Sequence, residues 1–507
     1  MFLQLLQRNA DYRPDEVAVV FGATRLTNSE LLGNVERCSR GLIGLGVSPG
    51  DRVALLLDNS VEFLISFFAI AACRAVSVPL SPEFKEDELH FYLRDAGVRG
   101  LIVDAHRIDL AMRVAGSLPQ QVQVIVNGAA APGAVSLADL LSTVEEATLP
   151  ATCLDDELIY IYSSGSTGRP KCAPRTVIQY WWEMDDVIEG LQLTREDKIF
   201  CMIPLFHNFG AVHCMLASVG SGASLVILDK PHPFSLHRRR ALRLIQDEKI
   251  TILPGVPFLF DQLGESIGDH DLSSVRICYS AAAALTRDIA EQFYSRFNVP
   301  IRNHYGCTEV GVITINLEPD LSQGIGSVGK PFPGVRVRIL DDSGNALPAG
   351  EVGEVVVSSR AMTRGYRGAG EMDFPQFKGG CFHTGDLGLL DSEGRLHLRG
   401  RRSLVIDVVG QKVSPVEVED VLAEHPGVET SIVLGVPNPD GLGELVKAYV
   451  VRDGLCGEEE LLAHCRARLA NYKVPSEVVF VRELPKGALG KVMRRREILD
   501  SLVSDSA

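Results

Sequence analysis

The sequence predicts an α/β protein in which parallel sheets are covered by helices, followed by smaller units of different character. Strand-like apolar runs alternate with helical periodicity over the first two-thirds of the chain, and this alternation is typical of parallel sheets. The pattern changes near residue 334, where short strands and turns follow one another, and a last segment of roughly a hundred residues has a mixed pattern. A chain of 507 residues is too long for one compact core, so roughly three folding units are expected.

The elements are expected in the following order. Strands are predicted at 53–57, 75–79, 100–103, 122–126, 199–202, 224–228, 251–253 and 275–278, with helices at 61–72 and 85–96. The β-rich part covers short strands between 334 and 359 and one at 394–398. The last segment reads as a helix at 415–424, strands at 431–435 and 447–451, and a helix at 458–469. We therefore predict an N-terminal domain over 1–401, with a small β-rich subdomain at about 327–400, and an α+β C-terminal domain over 402–507.

Composition excludes several classes of function. The net charge of −15 argues against binding to nucleic acid or to an anionic membrane, because both need exposed Lys and Arg. The eleven cysteines form no C-x-x-C pair, which favours reduced thiols over a disulfide framework or a structural zinc site. The longest apolar run, at 63–73, is too short to cross a bilayer, so no membrane insertion is expected. These features together predict a cytoplasmic protein.

The segment from Tyr162 to Lys171, YSSGSTGRPK, is the first candidate site. It follows a buried strand, and its small residues allow backbone N–H groups to curve around an anion. Hydroxyl groups and one lysine add further donors, which favours a polyphosphate ligand. The site residues are Ser163, Ser164, Gly165, Ser166, Thr167, Gly168 and Lys171. The spacing is not that of a usual P-loop, and an ordinary polar loop is the alternative.

Other glycine-punctuated segments carry candidate groups. In HYGCTE, Tyr305 could stack on a base and Glu309 could bind Mg²⁺. Asp386 could accept two ribose hydroxyls, although an Asp-initiated turn is the alternative. His207, in PLFHNFG, could line an apolar pocket or be a structural histidine. Lys491 lies in a glycine-rich basic segment and could equally be a solvated lysine.

Taken in order, these segments resemble the adenylate-forming superfamily of acyl- and aryl-CoA synthetases, luciferases of the firefly type and nonribosomal adenylation domains. The resemblance covers nearly the whole chain. Each motif is weak alone, but the set is highly specific. The motifs are YSSGSTGRPK at 162–171, YGCTE at 305–309, TGD at 384–386, GR at 400–401 and PKGALGK at 485–491.

The resemblance implies roles for the candidate residues. The loop up to Lys171 would hold the β- and γ-phosphates of ATP, Thr308 would contact the α-phosphate, and Glu309 would help to hold Mg²⁺. Lys491 would bridge the substrate carboxylate and the α-phosphate during adenylation. The remaining nucleotide-binding residues would be Ala282, Asn303, His304, Tyr305, Asp386 and Arg401, and the acid pocket would include His207, Tyr279, Ala281, Gly306 and Cys307. His207 is also a candidate catalytic residue.

The resemblance also implies a mobile C-terminal domain. Its rotation would withdraw Lys491 and bring Gly410 to the thiol tunnel for thioester formation. Ser403 stands at the hinge position where the family usually has Asp or Lys, so the balance between the two states is left open. Asp407 replaces the lysine of luciferases, which argues against light emission. Ala281 adds a methyl group where glycine usually borders the adenine and acyl sites.

The expected reaction is ATP-dependent activation of a non-amino carboxylic acid (fatty, aryl or natural-product) and its transfer to coenzyme A. Amino-acid-activating members place an Asp in the segment that here reads FHNFG, and without it a buried ammonium would lack a partner. A freestanding adenylation enzyme that loads a carrier protein is the alternative, and a non-catalytic sensor is a third candidate. A homo-oligomer is left open.

Overall fold

The structure is a computed structural model. It describes residues 1–129, 131–142, 147–163, 170–229, 234–318, 326–368, 374, 376–401, 406–408, 411–438, 444–454, 456–469, 471–485, 492–494 and 499. The chain divides into two compact units. The first comprises Met1–Leu321, Pro331–Arg336 and Ser358–Phe382, and the second comprises Ser322–Lys330, Val337–Val357 and His383–Ala507. The expected domain boundary after residue 401 stays a prediction.

Strands are numbered here along the chain. The first fifteen are β1 (Val17–Phe21), β2 (Thr24–Thr27), β3 (Arg52–Leu56), β4 (Val76–Pro79), β5 (Gly100–Asp104), β6 (Gln123–Asn127), β7 (Ala134–Ser136), β8 (Glu157–Ser163), β9 (Lys171–Thr176), β10 (Lys198–Cys201), β11 (Ser224–Ile227), β12 (Ile252–Gly255), β13 (Ile277–Ser280), β14 (Ile301–Cys307) and β15 (Gly311–Ile315). The others are β16 (Lys330–Pro331), β17 (Val335–Leu340), β18 (Gly353–Ser359), β19 (Phe377–Lys378), β20 (Cys381–Leu390), β21 (Leu396–Arg401), β22 (Ile406–Val408), β23 (Gln411–Val413), β24 (Val428–Pro437), β25 (Glu444–Arg452) and β26 (Glu477–Phe480).

The α-helices are α1 (Phe2–Tyr12), α2 (Asn28–Gly44), α3 (Val61–Ala72), α4 (Glu86–Ala96), α5 (Ile108–Ser117), α6 (Leu137–Ser142), α7 (Val177–Gly190), α8 (Asn208–Gly210), α9 (Ala217–Ser221), α10 (Phe234–Asp247), α11 (Pro257–Gly264), α12 (Arg287–Phe297), α13 (Pro415–Ala423) and α14 (Glu458–Arg466). A π-helical stretch, Ala211–Leu216, joins α8 to α9, and short 3₁₀ turns occur at Ala105–Arg107 and Asn471–Lys473. None of the helices in the described ranges is long and apolar enough to cross a membrane.

The first unit contains two large sheets. A seven-stranded sheet has the order β7-β6-β5-β3-β4-β8-β9, and its pairs are parallel except β8–β9, which is antiparallel. A nine-stranded sheet has the order β16-β15-β14-β13-β12-β10-β11-β1-β2. Its central pairs are parallel, and the β1–β2 and β14–β15 pairs are antiparallel. Helices connect most of the consecutive parallel strands, for example α3 between β3 and β4 and α12 between β13 and β14.

The ends and faces of the helices follow from their residues. α7 begins at Thr176, whose side chain accepts the backbone N–H of Gln179 while the Gln179 side chain accepts the N–H of Thr176. This reciprocal capping satisfies two backbone donors that an open helix end would leave without partners. α3 is apolar on all sides and buried over most of its length, as a helix packed within a core should be.

The second unit is richer in β-structure. Most of β17, β18 and β20 lies in it, and β21 pairs with β20 in antiparallel orientation. β22 pairs with β23, and β24-β25-β26 form a three-stranded sheet. An apolar cluster joins α13 and α14 to that last sheet, with Val418, Leu461 and Ala448 fully buried in it.

The predicted fold class is confirmed. Helix 61–72 has the predicted bounds, and the four strands predicted between 53 and 126 each fall within one or two residues of an observed strand. The sequence pattern did not predict the antiparallel partners β9 and β15 or the β1–β2 hairpin. All eleven cysteines are free thiols.

Candidate active site

Three of the predicted site segments of the first unit, those of His207, Ala281 and Cys307, lie at one edge of the nine-stranded sheet. β10, β12, β13 and β14 are neighbours and parallel, so their carboxyl ends lie at the same edge. His207 follows β10, Ala281 follows β13, and Cys307 ends β14. The edge where α/β proteins bind their ligands therefore brings together motifs that are far apart in the sequence.

The stem of the phosphate-loop motif is a pair of antiparallel strands. Ser163 at the end of β8 lies opposite Lys171 at the start of β9. The loop residues between them, Ser164, Gly165, Ser166, Thr167 and Gly168, lie outside the described residues. The Lys171 ammonium is 5.1 Å from the centre of the Tyr366 ring, a distance at which a cation is attracted to an aromatic face.

Glu309 follows the end of β14 and is only 8% exposed. Its Oε1 accepts the Tyr366 hydroxyl at 2.5 Å, and its backbone carbonyl accepts the N–H of Thr363 at 2.8 Å. The Thr363 hydroxyl donates in turn to the carbonyl of Pro174 on β9 at 2.6 Å. Glu309 is therefore held at both its backbone and its side chain, and the same tyrosine contacts Lys171 of the phosphate-loop stem.

The donor set at Glu309 fits Mg²⁺. Protein sites for Mg²⁺ with nucleotides use one or two carboxylates and leave the other positions to phosphates and water. The Tyr366 phenol that orients this carboxylate is neutral, so it does not compete with a bound cation for the carboxylate charge.

His207 caps the short helix α8. Its Nδ1 accepts the backbone N–H of Phe209 at 3.3 Å, and its carbonyl accepts the N–H of Ala211 at 2.9 Å. The next residue, Asn208, is buried and bonded through its side chain to Glu183 and Tyr180. The turn that carries His207 is thus fixed locally by a helix cap and at a distance by side chains of α7.

Two histidines and two aromatic rings form a buried cluster behind this turn. His213 Nδ1 lies 2.9 Å from the Tyr279 hydroxyl, and the rings of His213 and His304 are 4.7 Å apart. Phe209 contacts both histidine rings. Burial lowers the pKa of His304 to about 4, against a smaller opposing effect of the Thr314 carbonyl, and burial also places the pKa of His213 well below its ordinary value. Both imidazoles are therefore neutral near pH 7, and the cluster carries no charge.

The other predicted nucleotide and acid residues lie on or beside β13 and β14. Asn303 lies opposite Ser280, and Tyr305 opposite Thr314. Further along β14, Gly306 pairs with Val312 and Cys307 with Gly311. Ala281 is buried, and its N–H donates to the carbonyl of Gly255 at 3.1 Å.

Ala282 is exposed and has a φ of +69°, a left-handed conformation that is uncommon for residues other than glycine. The chain therefore leaves β13 through a sharp change of direction at Ala282. A backbone held in such a sparsely populated region is often found beside a functional site.

In the second unit, Asp386 and Arg401 are opposite each other on β20 and β21. Arg401 Nε donates to Asp386 Oδ1 at 2.8 Å. The N–H of Asp386 donates to the Thr384 hydroxyl at 3.0 Å, and this hydroxyl donates to the carbonyl of Val355 at 2.8 Å. The TGD motif thus lies within β20, where the Thr384 hydroxyl holds the backbone at Asp386 and Arg401 orients the carboxylate.

Sequence reasoning missed Tyr366, Arg175 and Glu183. Tyr366 and Arg175 stand near motifs in the chain, but no pattern pairs them with Glu309 or Thr308, to which they are bonded. The one available signal was a second charged residue, Arg175, on the strand that begins with Lys171. Ser403, Gly410 and Lys491 fall in parts of the chain that the structure does not describe, so their roles stay predictions.

Comparison with known proteins identifies the family. The AMP-binding enzyme profile matches residues 6–367, and the profile of the AMP-binding enzyme C-terminal domain matches residues 417–491. An oxalate–CoA ligase of Arabidopsis thaliana is 33% identical over 97% of this chain and 96% of its own length. A feruloyl-CoA synthase of an Amycolatopsis species is 34% identical over 96% of each chain.

A solved structure agrees. The crystal structure of the anthranilate CoA ligase AuaEII in complex with anthranoyl-AMP superimposes with a TM-score of 0.86 at 30% identity, covering 100% of this chain and 98% of that one. The family profiles, the full-length relatives and the fold therefore all point to the family that the sequence motifs resemble. This chain belongs to the AMP-binding enzyme family.

Proposed function

We propose that this enzyme joins a carboxylic acid to coenzyme A in two steps, with ATP converted to AMP and pyrophosphate. In the first step, a carboxylate oxygen of the acid attacks the α-phosphorus of ATP, and pyrophosphate leaves. In the second step, the thiol sulfur of coenzyme A attacks the acyl carbonyl, the thiol proton is lost, and AMP leaves with the bonding electrons. The product is an acyl-CoA thioester.

The observation that carries this proposal is the geometry of Glu309. Adenylation brings an anionic carboxylate to a triphosphate, so groups that offset negative charge in the transition state lower the barrier most. Glu309 is buried and oriented by Tyr366, and Lys171 lies over the same tyrosine ring. Mg²⁺ bound at Glu309 would offset the charge of the phosphates there. Thr308, directly before Glu309, is assigned to the α-phosphate.

The second unit contributes a different group. We assign Asp386 to the ribose hydroxyls, because a carboxylate with a fixed orientation can accept hydrogen bonds from both. Arg401 would act through Asp386 by holding it in place. Lys491 would contact the substrate carboxylate and the α-phosphate in the first step, and Gly410 would adjoin the thiol in the second.

The acid is proposed to be a non-amino fatty, aryl or natural-product acid. The described residues around His207 include neutral imidazoles and aromatic rings, and the nearby carboxylate of Glu183 is already paired with Arg175. An α-ammonium group placed there would lack a free acidic partner. His207, Tyr279, Ala281, Gly306 and Cys307 are the residues proposed to line the acid pocket.

Coenzyme A is favoured over a carrier protein as the acceptor. The full-length relatives described above are named as CoA ligases or synthases, and each aligns with nearly all of this chain. Loading of a carrier protein shares the first step, so the acceptor is decided by the second step alone.

The test is pyrophosphate release with Mg·ATP and a panel of fatty, aryl, terpenoid and amino acids, with and without coenzyme A. We expect release with a non-amino acid and an acyl-CoA mass that forms only when coenzyme A is added. Release with no acyl-CoA product would contradict the proposed acceptor. No release with any acid would contradict the proposed reaction.

Lys491→Ala separates the two steps. We expect it to lower adenylate formation by about 100-fold or more, because it removes a charge that acts in the transition state. Thioester formation from a supplied acyl-adenylate should be largely unchanged, since the lysine is not used there. Equal loss of both steps, measured by separate half-reaction assays, would contradict this role.

A further inference from the structure

Arg175 and Glu183 form a buried ion pair beside the candidate site. Arg175 lies on β9 and Glu183 on α7, and their side chains are 1% and 0% exposed. The Arg175 Nη2 atom donates to Glu183 Oε2 at 2.7 Å, and the guanidinium stands 5.1 Å from the centre of the Tyr180 ring. Such a pair is no more stabilising than well-packed apolar residues of similar volume. Stability alone therefore does not explain why the pair is present.

The pair is bonded to both functional turns of the first unit. The second guanidinium nitrogen of Arg175, Nη1, donates to the backbone carbonyl of Thr308 at 3.2 Å. On the other side, Asn208 Nδ2 donates to Glu183 Oε1 at 2.9 Å, and the Tyr180 hydroxyl donates to Asn208 Oδ1. Thr308 precedes Glu309, and Asn208 follows His207. The two ends of the network are therefore neighbours of the residues assigned to the metal and to the acid.

The Glu183 carboxylate is closely surrounded by backbone and side-chain atoms. A Cβ atom at Gly311, where φ is +89°, would lie 2.3 Å from the Glu183 carboxyl carbon. Burial raises the pKa of Glu183, and this effect is opposed by Arg175, by Asn208 and by the backbone N–H of Val312. The carboxylate is thus enclosed by β9, α8 and the start of β15, with a donor from each of the three.

We propose that Arg175 and Glu183 are positioning residues that fix the Thr308–Glu309 turn and the His207–Asn208 turn to one buried frame. The inference rests on the proposed function, since it concerns the distance between the phosphate side and the acid side of the adenylation reaction. A change in this distance affects the transition state more than the binding of either substrate, because the two substrates must meet there at near-bonding separation.

The experiment compares three full-length variants. Glu183→Gln keeps the shape of the side chain and removes its charge. Arg175→Lys keeps the charge but loses the planar fork that reaches Thr308 and Glu183 together. The control is Asp186→Asn, since Asp186 is a buried acid one turn further along α7 that pairs with Arg360 at 2.6 Å and is not bonded to either functional turn.

Each variant is measured by thermal unfolding and by steady-state pyrophosphate release with an acid accepted by the wild type. We expect all three to lower Tm. Glu183→Gln and Arg175→Lys should lower kcat by at least about tenfold while KM for ATP stays within about twofold, the signature of an interaction used in the transition state. Asp186→Asn should keep kcat within about twofold of the wild type.

The double variant Arg175→Met/Glu183→Leu covers the case in which a single variant fails to fold. Replacing both charges with apolar residues restores folding in many buried pairs, but it leaves the Thr308 carbonyl without its donor. A folded double variant with low kcat supports positioning, and one with wild-type kcat overturns it.

Failure of the two proposals can be told apart. If the wild type turns over and Glu183→Gln behaves as Asp186→Asn does, the positioning role is wrong and the proposed function stands. If the wild type releases no pyrophosphate with any acid, both proposals fall.

Discussion

Two candidate carboxylates, Glu309 in the first unit and Asp386 in the second, are held in different ways. Glu309 is buried at the end of β14, and a neutral partner, the Tyr366 hydroxyl, orients it at 2.5 Å. Asp386 lies within β20, and a cation, Arg401, orients it at 2.8 Å from a side chain that is 50% exposed. The hydroxyl that Glu309 accepts thus belongs to a neutral side chain, and the group that Asp386 accepts belongs to a cation.

The difference corresponds to what each group is proposed to bind. A divalent cation requires an anionic ligand, and a permanent positive neighbour would compete with it. Hydroxyl groups require only a well-oriented acceptor, so compensation of the charge by Arg401 costs little and restricts the rotamer. The tyrosine beside Glu309 and the arginine beside Asp386 are therefore each compatible with the ligand proposed for that carboxylate.

The largest effect is expected at Glu309. Glu309→Gln preserves size and removes the charge, and we expect adenylate formation to fall by about 100-fold, as for the loss of one electrostatic group acting in the transition state. The variant should also require more Mg²⁺. Pyrophosphate release over a Mg²⁺ titration measures both. Glu248→Gln, at a carboxylate paired with Arg25, is the control. An unchanged Mg²⁺ dependence would remove Glu309 from the metal site.

A smaller effect is expected at Asp386. Asp386→Asn loses a charged acceptor, and hydrogen bonds to charged groups are worth about 1.5–3 kcal/mol, or about 10- to 100-fold in kcat/KM for ATP. The wild type should prefer ATP to 2′-deoxy-ATP, and the variant should lose most of this preference. Full preference in the variant would show that the ribose is held elsewhere.

Tyr366→Phe tests the neutral partner alone. The phenyl ring stays beside Lys171, but the hydrogen bond to Glu309 is lost, which costs about 1 kcal/mol, or about fivefold in the Mg²⁺ concentration that gives half-maximal rate. Tyr160→Phe is the matched control, because the Tyr160 hydroxyl donates to Glu157 at 2.6 Å in the same way. Equal Mg²⁺ requirements in the two variants would contradict the role of Tyr366.

The smallest effect is expected at Arg401. Arg401→Lys keeps the charge of a half-exposed ion pair, and exposed pairs contribute about 0.2–1 kcal/mol, so KM for ATP should rise by at most about fivefold. The difference in KM for ATP between the variant and the wild type should become smaller at high salt, because salt screens exposed charges. A loss as large as that of Asp386→Asn would mean that Arg401 contacts the nucleotide directly.

The fold and the candidate site were predictable to different extents. Helix 61–72 and the parallel strands were predicted because hydrophobic periodicity is a local signal. The motifs identified Thr308, Glu309 and Asp386 as candidate residues because each motif is contiguous in the sequence. The bonds between Tyr366 and Glu309 and between Arg175 and Thr308 join distant parts of the chain, and periodicity carries no information about them.

The close approach of Gly311 to Glu183 means that residues 183 and 311 depend on each other although they are far apart in the sequence. A Cβ atom at residue 311 would lie 2.3 Å from the Glu183 carboxyl carbon, so a side chain there requires the carboxylate to leave its bonds to Arg175 and Asn208. An exchange of segments with a relative that has a short residue at 183 and a larger one at 311 must therefore move both segments together. A crossover between the two positions would combine Glu183 with a side chain at residue 311 and would force the carboxylate out of its hydrogen bonds.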